Sequence, residues 1–228
     1  MKYNKIKSYA KINLALNIVG KTSNLHKIES IIAFVDLHDI VLIKSIKSKK
    51  HIISFSGKFS KNIKKKIIKT SKKNITEISK SIGSDVILGL NFTNSILTST
   101  NKVKLFRKCK IFHALIIKPN FGCSTKQIYS NVKKFDKPKI KHPLKKMFDL
   151  NYLKKMDNSL EHIALLKYPK LRLIKSYLES LSNPVFVRMT GSGSALVAYF
   201  QSKERCLSAK KMFNKKYKNY WCIASKNI

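Results

Sequence analysis

Three short segments of this chain set polar groups capable of chemistry inside apolar runs. In Ser8–Gly20, SYAKINLALNIVG, the alternation of a strand puts Ile12, Leu14, Leu16 and Ile18 on one face and Lys11, Asn13, Ala15 and Asn17 on the other. The first face reads as core. The second sets an ammonium beside a carboxamide, and burying an ammonium without a partner is costly. Two readings follow: an edge strand with its polar face in water, or a strand lining a cleft that offers Lys11 and Asn13 to an anionic or hydroxylated substrate. In Ile82–Leu90, IGSDVILGL, Asp85 directly precedes a strand-like run, where a carboxylate either caps a turn or acts as a general base. In Met189–Phe200, MTGSGSALVAYF, Gly191 and Gly193 permit a tight turn around Ser192 whose N–H groups can face an anion. A strand follows that turn, so it lacks the helix N-terminus that phosphate loops use, and a plain hairpin is its other reading.

The elements that must position these groups are strand-rich first, then helical. Ile31–Ile43 reads as strand–turn–strand and Ile52–Phe55 as a short strand. Ser60–Lys73 is lysine-dominated with little periodicity. A short helix is signalled by Asn74 as N-cap, Glu77 three residues on, Ile75, Ile78 and Ile82 on one side, and Gly83 past the end. Ile111–Ile117 reads as a strand ending at Pro119, and Lys133–Lys146, with Pro138 and Pro143 among lysines, as a linker. Pro169 opens a helix carrying Leu171, Ile174, Leu178 and Leu181. Strands Val185–Thr190 and Ala195–Phe200, a helix from about Ser202 and a strand through Tyr220–Ala224 complete the pattern. Mixed elements in this order predict an α+β protein of two lobes.

Composition limits the partners. The net charge is +37, yet only Arg107, Arg172, Arg188 and Arg205 of the 48 basic residues are arginines. A dedicated nucleic-acid binder draws on arginine for bidentate contacts, so the lysine surface reads as solvated, attracting phosphorylated metabolites and binding nucleic acid only nonspecifically. Cys109, Cys123, Cys206 and Cys222 are scattered without metal-ligand spacing and read as buried free thiols in a reducing cytosol. Lys11, Asn13 and Asn17 interrupt the first apolar run, no segment reaches the ~18–20 uninterrupted apolar residues of a membrane span, and a cytoplasmic location is expected.

Seven segments in order then carry a resemblance: AKINLALNIVG, a turn containing His26, VDLHD at 35–39, IGSDVILGL, CSTKQIY at 123–129, NSLEHIA at 158–164 and MTGSGSALVAYF. Together they resemble the 4-diphosphocytidyl-2-C-methyl-D-erythritol kinase family of the GHMP kinase superfamily. The resemblance implies a lobe like the second domain of ribosomal protein S5 over residues 1–120 and a ferredoxin-like lobe over 121–228. It implies ATP-dependent phosphorylation of the substrate's 2-hydroxyl in non-mevalonate isoprenoid precursor biosynthesis, with Mg²⁺ accompanying ATP and no protein metal ligand assigned. Lys11 matches the family's active-site lysine and Asp85 its catalytic aspartate. Asn13, His26, Thr125 and Tyr129 fall on substrate-contacting positions, Tyr129 where an aromatic stacks on cytosine, with Gly191, Ser192 and Gly193 as a supporting cofactor-side turn. A small-molecule partner and a monomer or homodimer are implied.

Two departures stand out. The family's Gly-rich phosphate loop, PxGxGLGGGSSxAA, belongs between the strand near Ile52 and Asp85, but the seven glycines (Gly20, Gly57, Gly83, Gly89, Gly122, Gly191 and Gly193) include no such cluster. The N-terminal lobe is thus internally truncated near 59–74, and ATP loses backbone donors that lysines cannot replace with the same geometry. The family's Asp-Gly-Tyr-His turn is Ser23-Asn24-Leu25-His26, without the cytosine-stacking tyrosine. The alternatives are a catalytically inactive ligand-binding relative, or a basic RNA- or partner-binding protein on the same scaffold.

Overall fold

The computed structural model describes residues 3–23, 25–43 and 92–228, with positions 47, 54 and 56. The expected strand at 52–55, the lysine-dominated stretch at 60–73, the helix at 74–82 and the segment around Asp85 lie outside the described residues. Two compact units are distinguished, residues 1–8 with 39–91 and residues 9–38 with 92–228, and every residue of the candidate site below belongs to the second.

Strands β1 (Asn4–Lys21), β2 (His26–Ile43), β3 (Asn94–Leu97) and β4 (Val103–Phe106) form one sheet in the order β1-β2-β3-β4. Strands β5 (His113–Lys118), β6 (Phe186–Met189), β7 (Leu196–Phe200) and β8 (Trp221–Lys226) form a second, in the order β6-β7-β5-β8, with every pairing antiparallel. Among the described residues the helices are α1 (Thr125–Ser130), α2 (Leu150–Lys154), α3 (Ser159–Lys167), α4 (Pro169–Glu179) and α5 (Lys203–Lys216). The second sheet's order is that of a β-α-β-β-α-β ferredoxin-like unit. Its first strand, β5, lies on the N-terminal side of residue 120 in sequence and yet pairs on both edges with strands that follow it.

The run HALIIK explains that central place. Ala114 and Ile116 point to one core with Ile12, Leu14, Ile31, Ala33 and Val197, while Leu115 and Ile117 point to another with Leu160, Leu171, Ile174, Leu178 and Phe213. A strand buried on both faces reads as a continuous apolar run, not an alternating one. The first core lies between the two sheets. The second lies between the ferredoxin-like sheet and helices α1, α3, α4 and α5. Helix α4 meets its sequence expectation: Pro169 is at its first turn, and Leu171, Ile174 and Leu178 are buried.

Two expectations are corrected. Ile31–Ile43 holds no turn, because β2 runs unbroken from His26 to Ile43. Within the strand, Asp36 accepts hydrogen bonds from the Ser225 hydroxyl and, at 2.9 Å, from the Lys226 N–H on β8. The segment Lys133–Lys146 is no loose linker. Glu29, fully buried, accepts the Lys139 N–H at 2.6 Å and the Ile140 N–H at 3.2 Å, and Asp136 N–H donates to the Ile18 carbonyl at 2.8 Å. The cysteines are free, but only Cys206 is fully buried.

Candidate active site

The polar face of β1 is not in water. Asn13 is 6% exposed and Asn17 is 1% exposed, so the edge-strand reading holds for the order of the sheet and fails for the solvent. The open edge of β1 is covered instead. Leu16 N–H donates to the Asp157 carbonyl at 3.0 Å, Ile18 N–H to the Ser159 hydroxyl at 3.0 Å, and Asn13 N–H to the Thr190 hydroxyl at 2.8 Å.

These contacts fix the first polar group. Ser30 donates its hydroxyl proton to the Ala15 carbonyl at 2.6 Å, so its oxygen can only accept from Asn13 Nδ2 at 2.8 Å. That sets the carboxamide's orientation and turns Asn13 Oδ1 toward the Lys11 ammonium, 3.2 Å away. The chain Lys11, Asn13, Ser30, Ala15 is a relay of donors running from the rim of the strand into its backbone.

The Gly-Ser-Gly turn abuts this relay. Gly191 has φ +58° and Gly193 φ +85°, conformations that glycine adopts without penalty. A side chain at 191 would begin 3.8 Å from Asn13 Oδ1, and one at 193 would collide with Met189 Sδ at 2.7 Å. The turn closes on itself through Gly193 N–H to the Thr190 carbonyl at 3.2 Å, and Asn158 Nδ2 ties it from behind to the Met189 and Gly191 carbonyls, 2.8 Å each. Ser192 reaches Thr125 hydroxyl to hydroxyl at 2.9 Å. The loop before α1 is locked to the same turn: Lys118 Nζ donates to the Phe121 carbonyl and the Ser194 hydroxyl, at 3.1 and 3.2 Å. Thr125 and Tyr129 are one helical turn apart on α1 and share a face. The Tyr129 ring lies 5.1 Å from the His26 ring. Burial first, and then the nearby Lys21 ammonium, lower the His26 pKa below its ordinary value and favour the neutral ring.

Lys11, Asn13, His26, Thr125, Tyr129, Gly191, Ser192 and Gly193 are thereby drawn to one side of β1. Asp85 lies outside the described residues. Thr190, Ser30 and Asn158 were not named as site residues from the sequence, although Asn158 opens the NSLEHIA segment and Thr190 directly precedes the Gly-Ser-Gly turn. Among the described residues no group of three or more His, Cys, Asp or Glu side chains is arranged to hold a metal ion. The Gly193 N–H is committed within its turn to the Thr190 carbonyl.

A second polar region lies close by. A cavity of about 760 Å³ is lined by Asp136, Asp157, Glu161, Lys175, Glu179 and Arg188, among others, and by none of the eight residues above. Several of its charges are engaged. Lys175 pairs with Glu161 at 3.0 Å and Glu179 at 3.1 Å. Burial would lower the Lys175 pKa, but the two carboxylates outweigh it and hold the pKa above its ordinary value. Arg188, 6% exposed, donates to the carbonyls of Leu14, Leu153 and Met156. Glu161 also accepts the Met189 N–H, and Asp136 the Ser159 hydroxyl. The region is a structural clasp.

Known proteins decide the family. A 4-diphosphocytidyl-2-C-methyl-D-erythritol kinase of Pelagibacter ubique is 45% identical over 277 residues, covering 98% of this chain and 99% of that protein. This chain belongs to the 4-diphosphocytidyl-2-C-methyl-D-erythritol kinase family. It is a small-molecule kinase. The kinase of Clostridium perfringens of the same name is 29% identical over 279 residues, covering 94% of each chain. Both alignments are longer than the 228 residues here, so these relatives carry tens of residues that this chain lacks. No protein-family model matches the chain. The crystal structure of a 4-(cytidine 5′-diphospho)-2C-methyl-D-erythritol kinase superposes with a TM-score of 0.73 at 16% identity, covering 99% of this chain and 100% of that one. Homoserine kinase from Cytophaga hutchinsonii superposes with a TM-score of 0.54 at 14% identity, covering 100% of this chain and 95% of that one. At these identities the two structures establish the fold, which is the α+β GHMP kinase fold expected from the sequence. No helix among the described residues is long and apolar enough to cross a membrane.

Proposed function

We propose that this chain transfers the γ-phosphoryl group of ATP to the 2-hydroxyl of 4-diphosphocytidyl-2-C-methyl-D-erythritol, a step of non-mevalonate isoprenoid precursor synthesis in the cytoplasm. One observation carries the reading: Lys11, Asn13, the Gly-Ser-Gly turn, Thr125, Tyr129 and His26 converge from four separate segments on one side of β1. Asp85 is assigned as the general base that takes the hydroxyl proton, and Lys11 as the cation that offsets charge developing at the reacting oxygen. Asn13 and Thr125 orient the methylerythritol end. His26 and Tyr129 receive the cytosine.

We assign the residues missing relative to the aligned kinases to the interval between Ile52 and Asp85, where the phosphate loop belongs. Phosphoryl transfer rests chiefly on positioning and neutralising the phosphates. Removing one preorganised donor from an anion site costs on the order of 10²–10³ in rate, and a whole loop costs more. The reading therefore includes slow turnover with retained substrate binding. The test is ATP-dependent formation of the 2-phosphate product by the purified chain, with Asp85→Asn as control. Slow product formation, abolished in Asp85→Asn, is the expected result. Product formation that survives in Asp85→Asn overturns the assigned base, and turnover at the ordinary ~1–100 s⁻¹ of kinases overturns the impairment.

A further inference from the structure

The segment after α1 carries an aromatic ring that packing does not account for. Phe135 is 49% exposed, although a phenylalanine in a free loop gains by folding onto the surface. Its backbone has no such freedom. The next residue, Asp136, is fixed by its N–H on the Ile18 carbonyl and by its carboxylate on the Ser159 hydroxyl. Four and five residues after Phe135, Lys139 and Ile140 are fixed by the buried Glu29 carboxylate, itself oriented by Asn17 Nδ2 at 2.9 Å. The ring is thus held out on an anchored segment, and its place is beside His26, 6.4 Å between centroids at 61°. His26 is then flanked by Tyr129 at 5.1 Å and by Phe135. Leu25, directly before His26, is 73% exposed and has no π face to offer.

We propose that Phe135 is a base-binding residue of this kinase, completing with His26 and Tyr129 a three-ring cradle for the pyrimidine of a cytidine diphosphate group. The proposal rests on the reading above that His26 and Tyr129 receive the cytosine. A rigidly mounted aromatic with two rotatable bonds loses little entropy when it stacks on a planar ring. The lysine-rich surface attracts the diphosphate but offers no face to a planar base, so holding the base falls to the rings. The cradle also supplies an aromatic face that the Ser23–Leu25 turn does not.

The experiment is calorimetric titration of the purified chain with cytidine 5′-diphosphate and, separately, with inorganic pyrophosphate. Phe135→Ala is expected to weaken cytidine diphosphate binding about 3- to 10-fold, Phe135→Tyr to restore it, and neither to change pyrophosphate binding. In turnover assays Phe135→Ala is expected to raise KM for the cytidine substrate while leaving kcat and the KM for ATP unchanged. If Tyr129→Ala weakens cytidine diphosphate binding and Phe135→Ala does not, this proposal is overturned and the pocket assignment stands. If neither variant weakens it, both are overturned. Equal losses for cytidine diphosphate and pyrophosphate in Phe135→Ala mean that the ring only supports the fold, and this too overturns the proposal.

Discussion

Two polar regions lie along β1, and their polar atoms are occupied differently. In the cavity lined by Glu161, Lys175 and Arg188, the charges point at one another or at backbone: Lys175 holds two carboxylates, and Arg188 three carbonyls. Across the strand, the region of Lys11, Asn13, Thr125, Ser192, His26 and Tyr129 is built from hydroxyls, a carboxamide and rings at a partly exposed rim. The cavity is a hollow of about 760 Å³, yet its surroundings make it the worse site. Lys175 and Arg188 are held by partners inside the protein and are costly to redirect to a ligand, whereas the hydroxyls and ring faces of the other region lie at a partly exposed rim.

The largest effect expected from this contrast is at Arg188. Arg188→Met keeps much of the volume and removes the donors to the Leu14, Leu153 and Met156 carbonyls. Burial itself lowers the Arg188 pKa, but the guanidinium stays charged, so it is the hydrogen bonds that are lost. Unfolding in denaturant is expected to show a loss of about 3 kcal/mol, from stranded buried carbonyls. The affinity of the folded fraction for cytidine diphosphate stays at the parental value. A loss of affinity without a loss of stability breaks the comparison, because it places the ligand in the cavity.

Asn158 joins the two regions and sharpens the contrast between them. Its Oδ1 caps α3 by accepting the Leu160 N–H at 3.0 Å, and its Nδ2 holds the Gly-Ser-Gly turn. Asn158→Ala is expected to cost about 2 kcal/mol, from the lost cap and the stranded Met189 carbonyl. It also releases the turn against Thr125 and Asn13. Turnover is therefore expected to fall more than the loss of folded protein explains, as seen by comparing kcat with the folded fraction measured by circular dichroism.

The sequence made β1 legible because alternation is a local signal, and Ile12, Leu14, Leu16 and Ile18 are all buried as read. It also made the family legible, because ordered segments survive even where an interval is shortened. What it concealed is non-local. Nothing near Asn13 announces that Ser30 and Thr190, 17 and 177 residues away, fix its amide. Nothing local shows that Asp36 is held within an unbroken strand by partners on β8 that lie 189 and 190 residues on. The lysines and prolines of 133–146 looked like a tether because the clasp at Glu29 sits more than a hundred residues upstream. Polar residues in loops are read as solvated unless their partners are known, and here the partners are on strands.

The smallest effect expected concerns His26, and its sign tells which end of the ligand meets the ring. In the folded chain, burial first and Lys21 second hold the His26 pKa below its ordinary 6.5. The unfolded chain therefore binds the proton more readily. The stability associated with a neutral His26 is fully present above pH ~6.5, and is lost as pH falls from there through the folded value. A proton NMR titration of the His26 ring is expected to give a midpoint under 6.5, and His26→Gln to flatten part of the stability loss between pH 7 and pH 5. Cytidine diphosphate then discriminates between two poses. A pyrimidine laid against the ring excludes water and pushes the midpoint lower, whereas a diphosphate laid against it favours the imidazolium and pushes the midpoint up. A downward shift on adding the nucleotide is expected from the cradle formed with Tyr129 and Phe135. An upward shift reverses the ligand in the site, puts the phosphates between His26 and Lys21, and removes the reason for aromatic rings on either side of the histidine.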